Sequence, residues 1–342
     1  MYTTTRKWAL LSIPIVFIIF CIGTSIGSSN INIIDTAQIL FYKLFNLSLG
    51  DNINPKDVSI IWALRVPRVL LAFLVGGSLA VSGSVVQSIL KNELASPYTL
   101  GVSSGASLGA GLVIILGVNI PFLGNLTLPL IGFLFGLFTV YGVIVFSSKI
   151  DKTMSNNTII LAGMVFSLFV NALLTTITAL FSEDLKSISL WQMGSFAMKG
   201  FSAVKAIIPF CVIGIVGILI YTKEMDILTF GEEQAKAVGV NTTKVKKRLF
   251  IFSAILTGSA VALSGTIGFV DLIAPHIVRR IFGSKHSYVI PMSFVFGGSL
   301  MVITDLIART VVTPAELPVG AVTAIIGAPF FAYVYFSKGK RS

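Results

Sequence analysis

The 342 residues read as an all-α protein: a polytopic membrane bundle of about ten transmembrane helices forming one domain over 1–342. Three observations carry this. Hydrophobic residues make up 55% of the sequence and charged residues only 11%, whereas soluble domains carry about 25% charged. The apolar residues gather into runs, most of them long enough to cross a hydrocarbon core about 30 Å thick. The cations fall between those runs, with a bias to alternate loops. This composition excludes an ordinary soluble enzyme, a disordered chain and a nucleic-acid-binding domain. The net charge of +11 therefore reads as orientation in a membrane.

The first run, 8–26, follows Arg6 and Lys7 and reads as an uncleaved span; Gly27-Ser28-Ser29 leaves a cleaved signal as the alternative. The others occupy 65–90, 100–117, 126–147, 158–181, 203–222, 248–267, 268–282, 288–308 and 316–336. The run 268–282 is short and is expected to break at Pro275. An even count puts both termini on one side. With that side cytoplasmic, roughly two thirds of the 25 Lys and Arg lie inside, including Lys338, Lys340 and Arg341. The stretches 30–64, 182–202 and 223–248 are expected to face water. Small residues recur every four positions at Gly76/Ala80, at Gly101/Gly105/Gly109 and at Gly132/Gly136, which lets helix backbones approach closely in lipid. Cys21 and Cys211 stand singly in apolar runs and form no metal or redox motif.

Familiar chemistry is missing. There is no P-loop, no dinucleotide fingerprint and no H-E-x-x-H. His286 lies in a basic loop and is expected to be solvated; His276, after Pro275, is expected in a structural hydrogen bond. Asp305 and Arg309 are spaced to pair along one helix. Glu316 sits where the last span begins, where the helix dipole favours a carboxylate. No relay of acids crosses the membrane, so uphill transport would draw its energy from another subunit.

The segment 223–248 is more apolar than a solvated loop requires. A short helix over 232–238 is stopped by Gly239, and Asn241-Thr242-Thr243 is expected to cap a second short helix running into the membrane. With Ala235, Ala237, Val238 and Val240 on it, the segment reads as a plug for a groove on a soluble partner, an ordinary loop being the alternative.

At these residues the chain resembles the FecCD family, the permeases of bacterial ATP-binding-cassette importers for iron–siderophore complexes, haem and cobalamin. Arg65-Val-Pro-Arg68, Lys91-Asn-Glu-Leu-Ala-Ser-Pro with Leu100-Gly-Val-Ser-Ser-Gly-Ala, the stretch from Gly265 to His276, and the stretch from Glu316 to Pro329 match its motifs in order. Asp271 stands where the family often has glycine.

The resemblance implies a type II ABC importer permease fold in the bacterial cell membrane, working as a dimer with a second permease chain. Two ATPase subunits would dock inside and an extracytoplasmic substrate-binding protein outside. ATP and Mg would belong to the ATPase, with no cofactor on this chain, no catalytic residue and no metal ligand. Glu232, Glu233, Ala235, Ala237, Val238, Gly239 and Val240 would couple to the ATPase. Arg65, Arg68 and Arg309 would face the binding protein, with snorkelling at the lipid surface or the Asp305 pair as alternatives. Asn92 and Leu94, together with Asn156 and Asn157, would form the inner gate, although the paired asparagines also suit a helix cap. Trp191, in a Trp-x-x-Gly-Ser segment, would line the vestibule or anchor at the interface. The expected cargo is an iron–siderophore complex, with haem or cobalamin as alternatives and a secondary carrier as a more distant one.

Overall fold

The computed structural model describes residues 2–27, 31–45 and 53–338. All regular structure among them is helical. The helices are α1 (Tyr2–Ser25), α2 (Ile33–Phe45), α3 (Pro55–Ser59), α4 (Val66–Leu90), α5 (Val102–Leu116), α6 (Thr127–Ile150), α7 (Asn156–Leu180), α8 (Leu185–Met193), α9 (Gly200–Leu219), α10 (Thr222–Phe230), α11 (Glu232–Ala237), α12 (Thr242–Ser264), α13 (Val270–Phe282), α14 (His286–Thr310) and α15 (Val319–Lys338). A π-helical stretch, Ile60–Arg65, joins α3 to α4.

Each apolar run of the sequence coincides with a helix. Among the described residues, six stretches are long and apolar enough to cross a membrane: Pro55–Leu90, Gly124–Ile150, Asn156–Leu180, Gly200–Leu219, Thr242–Ser264 and His286–Thr310. The apolar helices Ser12–Ser25, Val102–Leu116 and Val319–Tyr333 are shorter. Ser28, Ser29, Lys340 and Arg341 lie outside the described residues.

The centre is α4, wrapped by α14, α12, α13 and α9. It is apolar on every side and buried almost throughout, as a helix without a polar face must be. A second group, α5, α6 and α7, joins it through α12. Close approach needs missing side chains: a Cβ on Gly76 would fall 2.4 Å from the Gly297 carbonyl oxygen. Paired glycines thus let α4 and α14 touch backbone to backbone.

Two of the helices that match apolar runs, α5 and α13, are too short to span as regular helix. At about 1.5 Å per residue, the 15 residues of α5 and the 13 of α13 reach roughly 22 and 20 Å. A 3-10 turn, Pro97–Leu100, precedes α5 and irregular chain, 265–269, precedes α13, and side chains link the two approaches. The Tyr98 hydroxyl donates to Ile267 O at 2.7 Å, Ser103 and Thr266 hydroxyls pair at 3.3 Å, and Ser96 donates to the Asp271 carboxylate.

Four expectations are corrected. The stretch 30–64 is not simply water-facing: α2 packs Ile39 and Leu40 against Cys21, Ile61 and Val66, a periodicity interrupted in sequence by Asp35 and Lys43. Pro275 does not break α13, which continues to Phe282. The carbonyl that Pro275 cannot serve, Asp271 O, is approached at 3.4 Å by the Gln87 side-chain amide. Asn241 caps not a second short helix but α12 itself, accepting from Lys244 N–H at 3.0 Å. His286 is 1% exposed rather than solvated.

Candidate functional site

The chemistry-bearing residues collect at the two ends of α4. At its C-terminal end, α10 and α11 project between α9 and α12 as a compact knob. The stop after α11 is a Schellman motif: Gly239 N–H donates to Lys236 O at 3.0 Å and Val240 N–H to Ala235 O at 2.9 Å. Gly239 holds φ at 88°, a left-handed conformation that costs other residues about 1–2 kcal/mol. Ala235 is buried and Val240 packs on the same core. Glu233, Ala237, Val238 and Gly239 face outward, with Val238 68% exposed.

The two gate candidates meet at the same end. Asn92 and Leu94 are exposed in the turn after α4, where the Asn92 side-chain oxygen accepts from Leu94 N–H at 2.9 Å. Asn156, first residue of α7, donates from Nδ2 to Leu90 O at 3.0 Å. Asn157 is exposed beside it. The turn leading into α7 is shaped by Asp151, whose carboxylate accepts from the Thr153 hydroxyl at 2.6 Å and from the Thr153 and Ser155 N–H groups at 2.8 Å. These bonds hold its pKa well below the ordinary carboxylate range. His276 lies 3.7 Å from the Glu93 carboxylate, an ion-pair distance when the imidazole is protonated.

Sequence reasoning missed Lys246 as a site residue. Its side chain is 1% exposed, and its ammonium donates to Glu232 Oε1 at 2.5 Å, Met154 O at 3.1 Å and Asn156 Oδ1 at 3.2 Å. A signal was available: Lys246 falls on the buried stripe of α12 with Val245, Leu249, Phe250 and Ser253. Its neighbour Arg248 instead stacks on Tyr221, 5.7 Å from the ring centroid.

At the N-terminal end of α4 the three arginines converge on a cavity of about 530 Å³, which Met198 and Glu316 also line. They are not free side chains. Arg65 donates to Thr24 O at 3.1 Å and to Ser25 O, and Arg309 donates to Gly23 O. Both guanidinium groups thus cap the C-terminal carbonyls of α1, where the helix dipole favours a cation. Arg68 forks between Asp305, 2.9 Å, and Glu316, 2.8 Å. The expected Asp305–Arg309 pair exists, at 3.8 Å, but is secondary to the Arg68 bond. Glu316 lies before α15, not in its first turn, and the Arg68 hydrogen bond lowers its pKa. Trp191 on α8 lines a smaller cavity of about 230 Å³ with Asn125, Met198 and Lys199.

Comparison with known proteins defines the class. The chain belongs to the FecCD transport family, which matches residues 15–337. It is 40% identical to the uncharacterized ABC transporter permease YvrB of Bacillus subtilis, covering 94% of this chain and 91% of that one. It is 36% identical to the Fe(3+)-citrate import system permease YfmD of the same organism, covering 97% and 95%. Among solved structures, a metal-chelate-type ABC transporter in an inward-facing conformation superposes with a TM-score of 0.84, at 30% identity, over 97% of this chain and 99% of that one. Family and apolar helices together make this an integral membrane protein of the ABC permease class, whose members are transport subunits rather than enzymes.

Proposed function

We propose that this chain is a permease subunit of an ATP-driven importer, carrying an iron–siderophore complex across the bacterial cell membrane. All ten helices that match the apolar runs cross the bilayer, the short ones completed by irregular chain, and both termini are cytoplasmic. The α10–α11 knob faces the cytoplasm and enters a groove on an ATPase subunit; a second permease chain completes the pathway. The single observation that carries this is the knob itself: a turn held by hydrogen bonds, with Phe230, Ala237 and Val238 turned outward. Exposed apolar surface on a well-anchored element marks a contact site.

At the opposite end the binding protein meets the arginine cluster. With Arg65, Arg68 and Arg309 outnumbering Asp305 and Glu316, the rim stays positive and attracts an acidic partner by its field, which sets on-rate and orientation. Asn92, Leu94, Asn156 and Asn157 close the inner end of the pathway.

The test is ATP hydrolysis by the chain in lipid vesicles, co-expressed with a P-loop ATPase encoded beside it, with and without the loaded binding protein. Stimulation by a ferric siderophore, lost in Gly239→Trp while the protein stays in the membrane, is the expected result. Stimulation by haem or cobalamin alone would replace the cargo. Failure of any ATPase to associate would overturn the importer reading.

A further inference from the structure

The base of the knob and the first turn of α7 are far apart in sequence but share one buried cation. Lysine ammonium has three N–H donors, and Lys246 places them on Glu232 at 2.5 Å, Met154 O at 3.1 Å and Asn156 Oδ1 at 3.2 Å. None is left over. The first acceptor is on α11, the other two flank the start of α7, and the donor is on α12. Asn156 extends the chain of bonds by donating to Leu90 O at 3.0 Å, at the end of α4. The helix stripe that carries Lys246 holds no other charge: Val245, Leu249, Phe250 and Ser253 are buried beside it. Filling this position needs no charge, and an apolar residue in place of a buried ion pair is often as stable or more so. What the cation adds is geometry: it fixes two separate segments against each other in a single arrangement. Meanwhile Glu232 sits at the knob's base, with Glu233, Lys236, Ala237 and Val238 left outward.

We propose that Lys246 is the positioning residue through which the knob governs the inner end of the pathway, holding α11 and the first turn of α7 as one rigid unit. A push on the outward face of α11 is then delivered to Asn156 and Asn157 without slack, because the base of α11 cannot shift while α7 stays still unless the Lys246 bonds break. The inference rests on the reading of α11 as the ATPase contact, and goes beyond it by naming the connection.

The experiment uses the complete complex in lipid nanodiscs. Spin labels are placed at the exposed positions Gln234 on α11 and Leu161 on α7, in a background with Cys21→Ala and Cys211→Ala. The label-to-label distance is measured without nucleotide and with ATP trapped. In the otherwise unaltered chain the distance is expected to stay the same in both states. In Lys246→Met it is expected to become nucleotide-dependent, and cargo moved per ATP hydrolysed is expected to fall about tenfold, within the usual span of coupling factors. Lys246→Arg, which keeps charge and donors, is expected to restore part of that ratio. If Lys246→Met does not fold, Glu232→Gln serves instead, removing the charge partner from the knob side. A distance that changes with nucleotide in the unaltered chain overturns the rigid unit, as does an unchanged transport-to-hydrolysis ratio in both variants. Failure of the unaltered chain to bind an ATPase overturns the importer reading and this inference with it. The first pair of outcomes, seen in an intact complex, overturns this inference alone.

Discussion

His286, at the start of α14, lies 2.6 Å through Nδ1 from the Asp226 carboxylate of α10, which also accepts the His286 backbone N–H at 2.9 Å. On its other side Nε2 lies 2.7 Å from the Ser88 hydroxyl, and Ser88 in turn accepts from Arg279 at 3.2 Å. One proton arrangement satisfies every contact: Arg279 donates to Ser88, Ser88 to Nε2, and Nδ1–H to Asp226. The run of bonds pins α10 to α4, α13 and α14. Asp226→Asn weakens the acceptor for both His286 donors, and is expected to destabilise the fold by about 1–3 kcal/mol. A thermal melt in detergent reads this; a variant as stable as the parent would show that the pin contributes nothing.

Capping of α1 makes a different demand on Arg65. Removing its guanidinium leaves Thr24 O and Ser25 O, on residues 0% and 2% exposed, without that donor. Arg65→Ala is expected to lower stability by about 1–3 kcal/mol, before any binding protein is added. Charge reversal at Arg65 would set a carboxylate against the negative end of α1, so it is a poor probe of docking. Glu316→Lys, at a residue whose side chain is 41% exposed, alters the rim with less damage. A stable Arg65→Ala would reject the cap.

The Arg68–Glu316 bond predicts a pH dependence. Its pKa is lowered in the folded state by the Arg68 hydrogen bond, so the stability it contributes is present above the ordinary glutamate value, about 4.3. That contribution is lost as the pH falls below this value toward the folded pKa. Melting temperatures of the parent and Glu316→Gln are expected to differ at pH 7 and converge in acid. A gap that widens on acidification would contradict the assignment.

Packing at Gly76 and open space at Gly268 give a matched pair. A methyl at Gly76 meets Gly297 O and the Met301 Cβ, both at 2.4 Å, whereas nothing lies within 4 Å of one at Gly268. Gly76→Ala is expected to cost about 1–3 kcal/mol through overpacking, and Gly268→Ala to stay within about 0.5 kcal/mol. Equal effects would mean that α4 and α14 separate more easily than their contact implies.

Helix positions were largely legible in the sequence because lipid demands long apolar runs. The Gly239 stop was legible too, since a left-handed residue after a helix has a short-range signature. What stayed hidden depended on side-chain partners from distant segments. Arg65 and Arg309 read as outward cations because nothing local shows that the end of α1 arrives beneath them. His286 read as solvated because Asp226 lies sixty positions away. Lys246 was masked by its basic neighbours, although its place on the stripe with Leu249 and Phe250 would have set it apart. Pro275 was read as a break because the Gln87 amide that approaches the orphaned carbonyl belongs to α4.

The brevity of α5 and α13 has a consequence for energetics in the bilayer. If they cross, as proposed, ordered helix covers roughly 20 Å of a hydrocarbon layer about 30 Å deep, and the remaining depth holds chain tied across by side-chain bonds such as Tyr98 to Ile267 O. Such backbone persists at membrane depth only when protein or water surrounds it. Here the surrounding is protein: Ile267 is 0%, Leu100 1% and Asp271 1% exposed. On the ten-span reading, lipid would meet side chains there rather than irregular backbone, so the two short helices would impose no polar defect on the surrounding bilayer.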